Sequence, residues 1–447
     1  MPSRWLWVIL AGALAARAVL WAAALPRPER YRTPDSRGYT LLARRLAAGQ
    51  GFTRASESGE PTAGCPEIFR TPGYPVFLLL ATAGGRLGWP AATFVQVLLD
   101  VGLVALTFLL GRELLGRRAG LLAAALQAAA PVAVAASCRV LSDSLYAVLL
   151  TAAVLLLLRA VRGGAWRAVL AAGLVLAAAC YVRPVGLVAV ACGAAVLAFR
   201  RGGPRRAAAL AGVVAVCIGP WVLRNGLAAD YWGFSSFATD SLYAYTAPQT
   251  LAAADGIPEA EARRRVRRDL ERIGTDQPDP TPGELARRRR RAALAVLAQH
   301  PGTCARLHLG GCVGFWLPGS AGVLETAGLT AGQRGTLTVL REEGLWAAVR
   351  HYFGGQPAAL ALGLALALVT AAIYAGAALC LVGGLRRRPS LPAVLLGVLI
   401  VVSSLLGGTA STPRFRVPVE PLLAVAAACG WAWLAGRRPG RTQLDRR

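Results

Sequence analysis

The sequence predicts an all-α, polytopic membrane protein, and three observations carry that prediction. Of 447 residues, 55% are hydrophobic; the apolar residues fall in long Leu/Ala/Val runs; and arginines bound those runs. In lipid each run must be a helix, because an exposed backbone amide finds no water to bond. The formal net charge of +26 would suggest nucleic acid in a soluble chain, but here it has a simpler source. There is no lysine, so all 49 basic residues are arginine. They collect in loops, where they orient helices and meet anionic lipid. The nine cysteines mostly sit inside apolar runs as small hydrophobes. Cys65 and Cys304 lie in loops and are free to pair. His300, His308 and His351 show no metal-ligand spacing.

The first run, Trp5 to Leu25, has the length of a retained anchor rather than a cleaved signal. Short Arg-rich loops at Arg112–Arg118, Arg159–Arg167, Arg200–Arg206, Arg386–Arg388 and Arg437–Arg441 belong on the cytoplasmic side. Between them fall spans near 5–25, 90–111, 119–136, 144–161, 166–181, 184–199, 207–223, 357–384, 391–408 and 413–436. That makes ten helices, or twelve if Leu307–Leu317 spans with a partner hidden between 320 and 356. Tyr74–Leu87 is apolar but short, and fits a helix lying at the outer surface. Three regions result: an N-terminal membrane module, 1–223, with its first outer loop at 26–89; a long outer region, 224–356; and C-terminal membrane helices, 357–447. Within the outer region, Glu259–Ile273 reads as a charged helix. A second starts at Thr281, with Pro282 at its first position and Glu284 in the capping-box position.

This topology gathers the polar motifs on one face. Asp35 and Arg70 flank the first outer loop, and Arg139 and Asp143 sit in the second. Arg183 occupies a tight Arg-Pro turn and Arg224 opens the long loop. Arg414, Arg416 and Glu420 precede the last span. Ionisable groups at membrane depth are expensive and concentrate at functional sites. Arginine offers forked donors that suit phosphate, and a carboxylate suits removal of a hydroxyl proton. Each group also has a plainer role. Asp35 and Asp143 are placed to cap helices, and Arg183 to snorkel to the headgroups. Glu67, unlike the other loop acids Glu57 and Glu60, is close enough to Arg70 to pair with it or to contact an acceptor. The clusters Arg263–Arg268 and Arg287–Arg291 read as solvated helix faces or lipid contacts.

Asp35-x-x-x-Tyr39, Gly49-Gln50-Gly51-Phe52 and Arg70-x-Pro-Gly-Tyr-Pro together resemble the first outer loop of family 39-like glycosyltransferases of the GT-C fold. Leu-Ser-Asp143-Ser-Leu-Tyr, Tyr-Val-Arg183-Pro, Pro-Trp-x-Leu-Arg224-Asn and Arg414-Phe-Arg416-Val-Pro-x-Glu420-Pro follow in the same order. Relatives include protein O-mannosyltransferases and the aminoarabinose transferase of lipid A. The resemblance implies an inverting transferase in the cell membrane that uses a polyprenyl-phosphate sugar on the extracytoplasmic face. It maps the loop acid onto Asp35 and the second acid onto Asp143. It leaves Arg70, Arg183, Arg224, Arg414 and Arg416 as candidates for the donor phosphate. Tyr39, Glu67, Tyr74 and Glu420 are candidate substrate contacts. The expected chemistry needs no metal or other cofactor. The acceptor class stays open among glycan, lipid, protein and natural product, with no nucleic acid partner. The long loop carries no evident β-rich insert, which departs from the protein O-mannosyltransferases. A transporter or flippase for a lipid-linked or anionic substrate is the competing reading.

Overall fold

A computed structural model describes residues 4–53, 65–163, 165–199, 202–273, 280–329, 336–385 and 390–436. The chain runs α1 (Arg4–Ala24), α2 (Pro34–Ala47), α3 (Gly73–Ala81), α4 (Trp89–Leu115), α5 (Arg117–Ala129), α6 (Pro131–Ser137) and α7 (Asp143–Gly163). Then come α8 (Trp166–Val182), α9 (Gly186–Ala198), α10 (Gly203–Ala229), α11 (Phe237–Ser241), α12 (Ala247–Asp255), α13 (Glu259–Ile273) and α14 (Pro282–Gln299). Last are α15 (Pro301–Trp316), α16 (Ala321–Ala327), α17 (Thr336–Glu342), α18 (Leu345–Tyr352), α19 (Pro357–Leu385), α20 (Leu391–Leu406) and α21 (Glu420–Leu434). Among the described residues there is no β-strand; one isolated bridge joins Thr53 to Pro66. The principal core gathers the inner faces of α7, α8, α9 and α21.

Six stretches are long and apolar enough to cross a membrane: α1, α4, α7, α10, α19 and Pro413–Leu434. Two apolar pairs, α5 with α6 and α15 with α16, are bent by 58° and 55° and bring the number to eight if each is one span. The chain is therefore a multi-pass membrane protein. Several expected spans take other forms. Residues 119–136 are not one straight helix: Pro131 has no N–H to give to Gln127, and Ala130 before it is extended (ψ 115°). The stretches expected at 166–181, 184–199 and 391–408 are helices of 17, 13 and 16 residues. The final span opens with a 3₁₀ turn over Pro413–Val419. Leu307–Leu317 lies within the bent α15–α16 pair. Helices α16 to α18 have only 7, 7 and 8 residues, too short to be the partner span sought between 320 and 356. Arg386–Arg388 and Arg437–Arg441 lie outside the described residues, as do Glu57 and Glu60.

The described residues of 224–356 are largely helical, as the sequence indicates. Helix α13 spans Glu259–Ile273, and the Thr281 side chain accepts from the Glu284 amide at 3.1 Å to start α14. Cys65 and Cys304 are both free thiols.

One ion pair inside the membrane helices went unread in the sequence. Arg17 of α1 and Asp100 of α4 are both fully buried, with Arg17 Nε 2.5 Å from Asp100 Oδ2. Arg17 Nη1 also donates to the Ala128 carbonyl at 2.9 Å, at the end of α5 where the chain bends. The pair thus ties α1 and α4 to the α5–α6 break. Removing one partner strands the other charge in a dry interior. Asp100→Leu is expected to cost about 3–5 kcal/mol, and Arg17→Leu/Asp100→Leu together to recover most of it. Thermal unfolding in detergent checks this; equal melting of the single and double variants would contradict it.

Candidate active site

Five side chains predicted from separate motifs come together. Asp35 lies in the first turn of α2, but it is not the cap. Thr33 holds the N-cap position, and its amide donates to Ser36 Oγ at 2.8 Å. The Asp35 carboxylate instead takes Arg414 Nη1 at 2.7 Å, with Arg70 Nη2 3.6 Å from its other oxygen. Arg414 also donates from Nε to Asp143 Oδ2 at 2.9 Å, so one guanidinium bridges both acids. The other oxygen of Asp143 receives Arg183 Nη1. Asp143 is fully buried, and Arg183 keeps 16% of its side chain exposed, so the Arg183 expectation of simple snorkelling does not hold. Asp35, with 43% exposure, is the open end of the cluster.

Local sequence explains how these groups reach one point. Ser36 Oγ donates to the Val140 carbonyl at 2.8 Å, and Val140 N donates to the Tyr31 carbonyl at 2.8 Å. These bonds tie the first loop to the turn that delivers Asp143. Tyr39 OH lies 3.1 Å from Ser142 Oγ on the same seam. Gly38 leaves room for Arg70: a Cβ there would lie 2.6 Å from Arg70 Nε. Arg70 in turn sits over the Tyr39 ring, 4.0 Å from its centroid. At Gly73 a Cβ would meet the Tyr181 carbonyl at 2.6 Å, so glycine lets α3 abut the end of α8, just before Arg183. Burial raises the Asp35 carboxyl, but Arg414, followed by Arg70 and Arg183, outweighs it and holds the group below its ordinary value.

Other sequence candidates lie elsewhere. Arg416 is fully buried, pairs with the buried Glu420 at 2.7 Å, and donates to the Phe315 and Leu317 carbonyls. It fastens the start of α21 to the end of α15, which corrects the expectation that Arg416 meets phosphate and Glu420 substrate. Arg224 clamps the first loop through the Glu67 and Phe52 carbonyls at 2.7 and 2.6 Å. Nη1 also donates to Asn225 Oδ1 at 3.0 Å, so both terminal nitrogens of Arg224 are engaged in holding the loop. Glu67 accepts from the Phe69 and Arg70 amides instead of the Arg70 guanidinium. Tyr74 is buried against Tyr39 and donates to Gln96 Oε1. Gln96 Nε2 then donates to the Arg139 carbonyl at 2.7 Å. Gln96 and Ser142 were missed because a lone amide and a lone hydroxyl carry no motif. Arg139 faces α16, where it meets Glu325 at 2.8 Å and Thr326 at 3.0 Å.

Among the described residues, no three His, Cys, Asp or Glu side chains gather as a metal-ligand set. Chemically, the cluster combines an accessible ionised carboxylate with three guanidiniums.

Residues 71–223 match the family described as dolichyl-phosphate-mannose-protein mannosyltransferase. The Archaeoglobus fulgidus oligosaccharyltransferase AglB, solved with an inhibitory peptide and a dolichol-phosphate, is similar with a TM-score of 0.54 at 15% identity. That match covers 99% of this chain and 51% of AglB. The same archaeal oligosaccharyltransferase tethered to an acceptor peptide gives a TM-score of 0.52 at 14% identity, over 97% of this chain and 50% of the other. ArnT from Cupriavidus metallidurans bound to undecaprenyl phosphate gives 0.42 at 15% identity, over 96% and 78%. This chain spans about half the length of the oligosaccharyltransferase it matches. No curated protein sequence matches it. The architecture is that of the GT-C membrane glycosyltransferases.

Proposed function

We propose that this protein is an inverting glycosyltransferase that moves a sugar from a polyprenyl-phosphate donor to an acceptor hydroxyl on the extracytoplasmic face. The charge of the cluster is the observation that carries this reading. Three guanidiniums, Arg70, Arg183 and Arg414, face two carboxylates, Asp35 and Asp143, and leave one positive charge at the open end. A polyprenyl-phosphate sugar is a phosphodiester with one negative charge, so the donor neutralises the site.

In the step proposed, the acceptor oxygen attacks the anomeric carbon as the bond from that carbon to the phosphate oxygen breaks. The electron pair stays on the departing polyprenyl phosphate, where Arg183 and Arg414 stabilise the charge. Asp35 orients the acceptor hydroxyl and takes its proton as the new bond forms. Asp143 holds Arg183 and Arg414 in place. Attack opposite the leaving phosphate inverts the anomeric centre. Guanidiniums supply the charge that this leaving group needs, so transfer is proposed to be metal-independent. Mannose is the sugar that the match over residues 71–223 favours.

Purified protein with polyprenyl-phosphate mannose and its membrane acceptors should form one product of inverted configuration, at the same rate in strong chelator. NMR of the anomeric centre reads the stereochemistry. A retained configuration would overturn the single-displacement step. Loss of activity in chelator, restored by a divalent ion, would overturn metal independence.

A further inference from the structure

Two arginine clusters take no part in the site: Arg263–Arg268 on α13 and Arg287–Arg291 on α14. Sequence leaves each between a solvated helix face and a lipid contact, and the structure separates them. On α13, Arg263, Arg264, Arg265, Arg268 and Arg272 all pair with acids of the same helix, at Glu259, Glu261 and Asp269. Such internal pairing is that of a helix facing water. Helix α14 differs. Arg287 pairs with Asp230 and Glu284, Arg288 with Glu284, and Arg289 with Asp240. Those acids are thereby engaged. Arg290 and Arg291 are exposed, and among the described residues no carboxylate pairs with either.

The two unpaired arginines share a face with apolar residues. The inner face of α14 buries Ala286, Ala292, Ala293 and Val296, the last two against α12 and α13. The opposite, less buried face reads Arg287, Arg291, Leu294 and Ala298, with Arg290 beside them. It is cationic at one end and apolar at the other. Leu294 is 44% exposed, and residues 292–298 carry no charge. The apolar end leads at Pro301 into α15, which belongs to the second bent pair of apolar helices. Leu309 and Val313 of α15 are 63% and 62% exposed, a surface for lipid to cover. Chain continuity therefore holds the apolar end of α14 at the membrane. Arg291 lies about 12 Å along the helix axis from Gln299, at 1.5 Å per residue. The headgroup layer is roughly 5–8 Å deep on each side, and an arginine stem can lie along apolar surface to bring its guanidinium down to the phosphates.

We infer that this face of α14 docks on the bilayer, and that Arg290 and Arg291 bind the headgroup of an anionic phospholipid. The inference goes beyond the transferase reading and does not depend on it. Water alone asks for no apolar stripe beside unpaired charges. A lipid surface matches both, with apolar residues toward the acyl boundary and cations at the phosphates. The docked helix is also joined to the first loop. Arg289 donates to Asp240, the Ser236 amide donates to the Ile68 carbonyl at 2.9 Å, and Ser235 Oγ donates to the Phe69 carbonyl at 2.6 Å. Residues 235–240 thus connect the lipid contact to the segment that carries Arg70.

The test places the photo-crosslinker p-benzoylphenylalanine at Leu294 of the full chain. The protein is held in nanodiscs of equal parts dioleoyl-phosphatidylglycerol and dioleoyl-phosphatidylcholine, and mass spectrometry identifies the lipid adducts. Each arginine near a membrane surface favours anionic lipid about fivefold, so the two together should give phosphatidylglycerol adducts roughly 30-fold over phosphatidylcholine ones. Arg290→Gln/Arg291→Gln should bring that ratio to about one, and Arg290→Lys/Arg291→Lys should preserve it. Both side chains are exposed, so thermal unfolding should be unchanged in each variant. The same label at Arg264, 69% exposed on α13, should capture little lipid. No lipid adduct at Leu294, equal capture of the two lipids by the otherwise wild-type chain, a preference that survives the glutamine pair, or as much lipid at Arg264 as at Leu294 overturns the assignment.

Discussion

Asp35→Asn is expected to lower sugar transfer by about 10²- to 10⁴-fold, the range that a positioned general base contributes, while the protein stays folded. Asparagine keeps the size of the side chain and an oxygen for Arg414, and Thr33, not Asp35, caps α2. What is lost is the charge and the ability to receive a proton. The arginines hold the Asp35 carboxyl below its usual range, so the wild type should keep the carboxylate ionised from neutral pH down past the ordinary value of about 3.9. An acid limb from this group should therefore appear only below that value. The same sign applies to stability. The folded value lies below the unfolded one, so the contribution is complete at pH above the unfolded value and is lost as pH falls through the folded one. A depressed carboxyl is a weak base in the resting site. In the proposed step it becomes effective as the donor phosphate shares Arg414 and the acceptor hydroxyl acidifies along the reaction. Normal transfer by Asp35→Asn would remove Asp35 from the chemistry.

Arg414→Met should be nearly as damaging, for a different reason. Arg414 is the single group bonded to both acids. Without it, the fully buried Asp143 keeps only Arg183, and the site loses its net positive charge. Loss of a preorganised donor to developing charge costs about 10²–10³ in turnover, and the KM for donor should rise as well. Arg414→Lys keeps the charge but presents a point ammonium that cannot span two carboxylates. It should fall between methionine and wild type. Measuring kcat and KM for donor in the three proteins checks the order. Equal activity of methionine and wild type would show that the bridge is only structural.

Much of this was legible in the sequence because three of the five cluster residues sit beside a proline. Asp35 follows Pro34, Arg183 precedes Pro184, and Arg414 follows Pro413, so their places at helix ends could be read from local rules. Which arginine meets which acid could not be read, because that depends on helix packing. Arg414 and Arg416 are two residues apart in one 3₁₀ turn, yet one faces the open cluster and the other is sealed against Glu420 and α15. Arg17 and Asp100 carried a signal that was available, a charge inside each of two apolar runs, but their pairing spans 83 positions in sequence. The short forms of several expected spans trace to Pro131 and to helices below the length of a perpendicular crossing.

The central claim is that the cluster accepts a sugar carried on a lipid monophosphate. Consumption of labelled polyprenyl-phosphate sugars by wild-type membranes, with the released polyprenyl phosphate measured, tests it most directly. The account predicts that at least one donor is consumed with stoichiometric release of the lipid phosphate, and that Asp35→Asn lowers the release by about 10²- to 10⁴-fold. If no donor in the panel is consumed and the labelled lipid instead crosses the bilayer intact, the account is contradicted and the protein is a transporter.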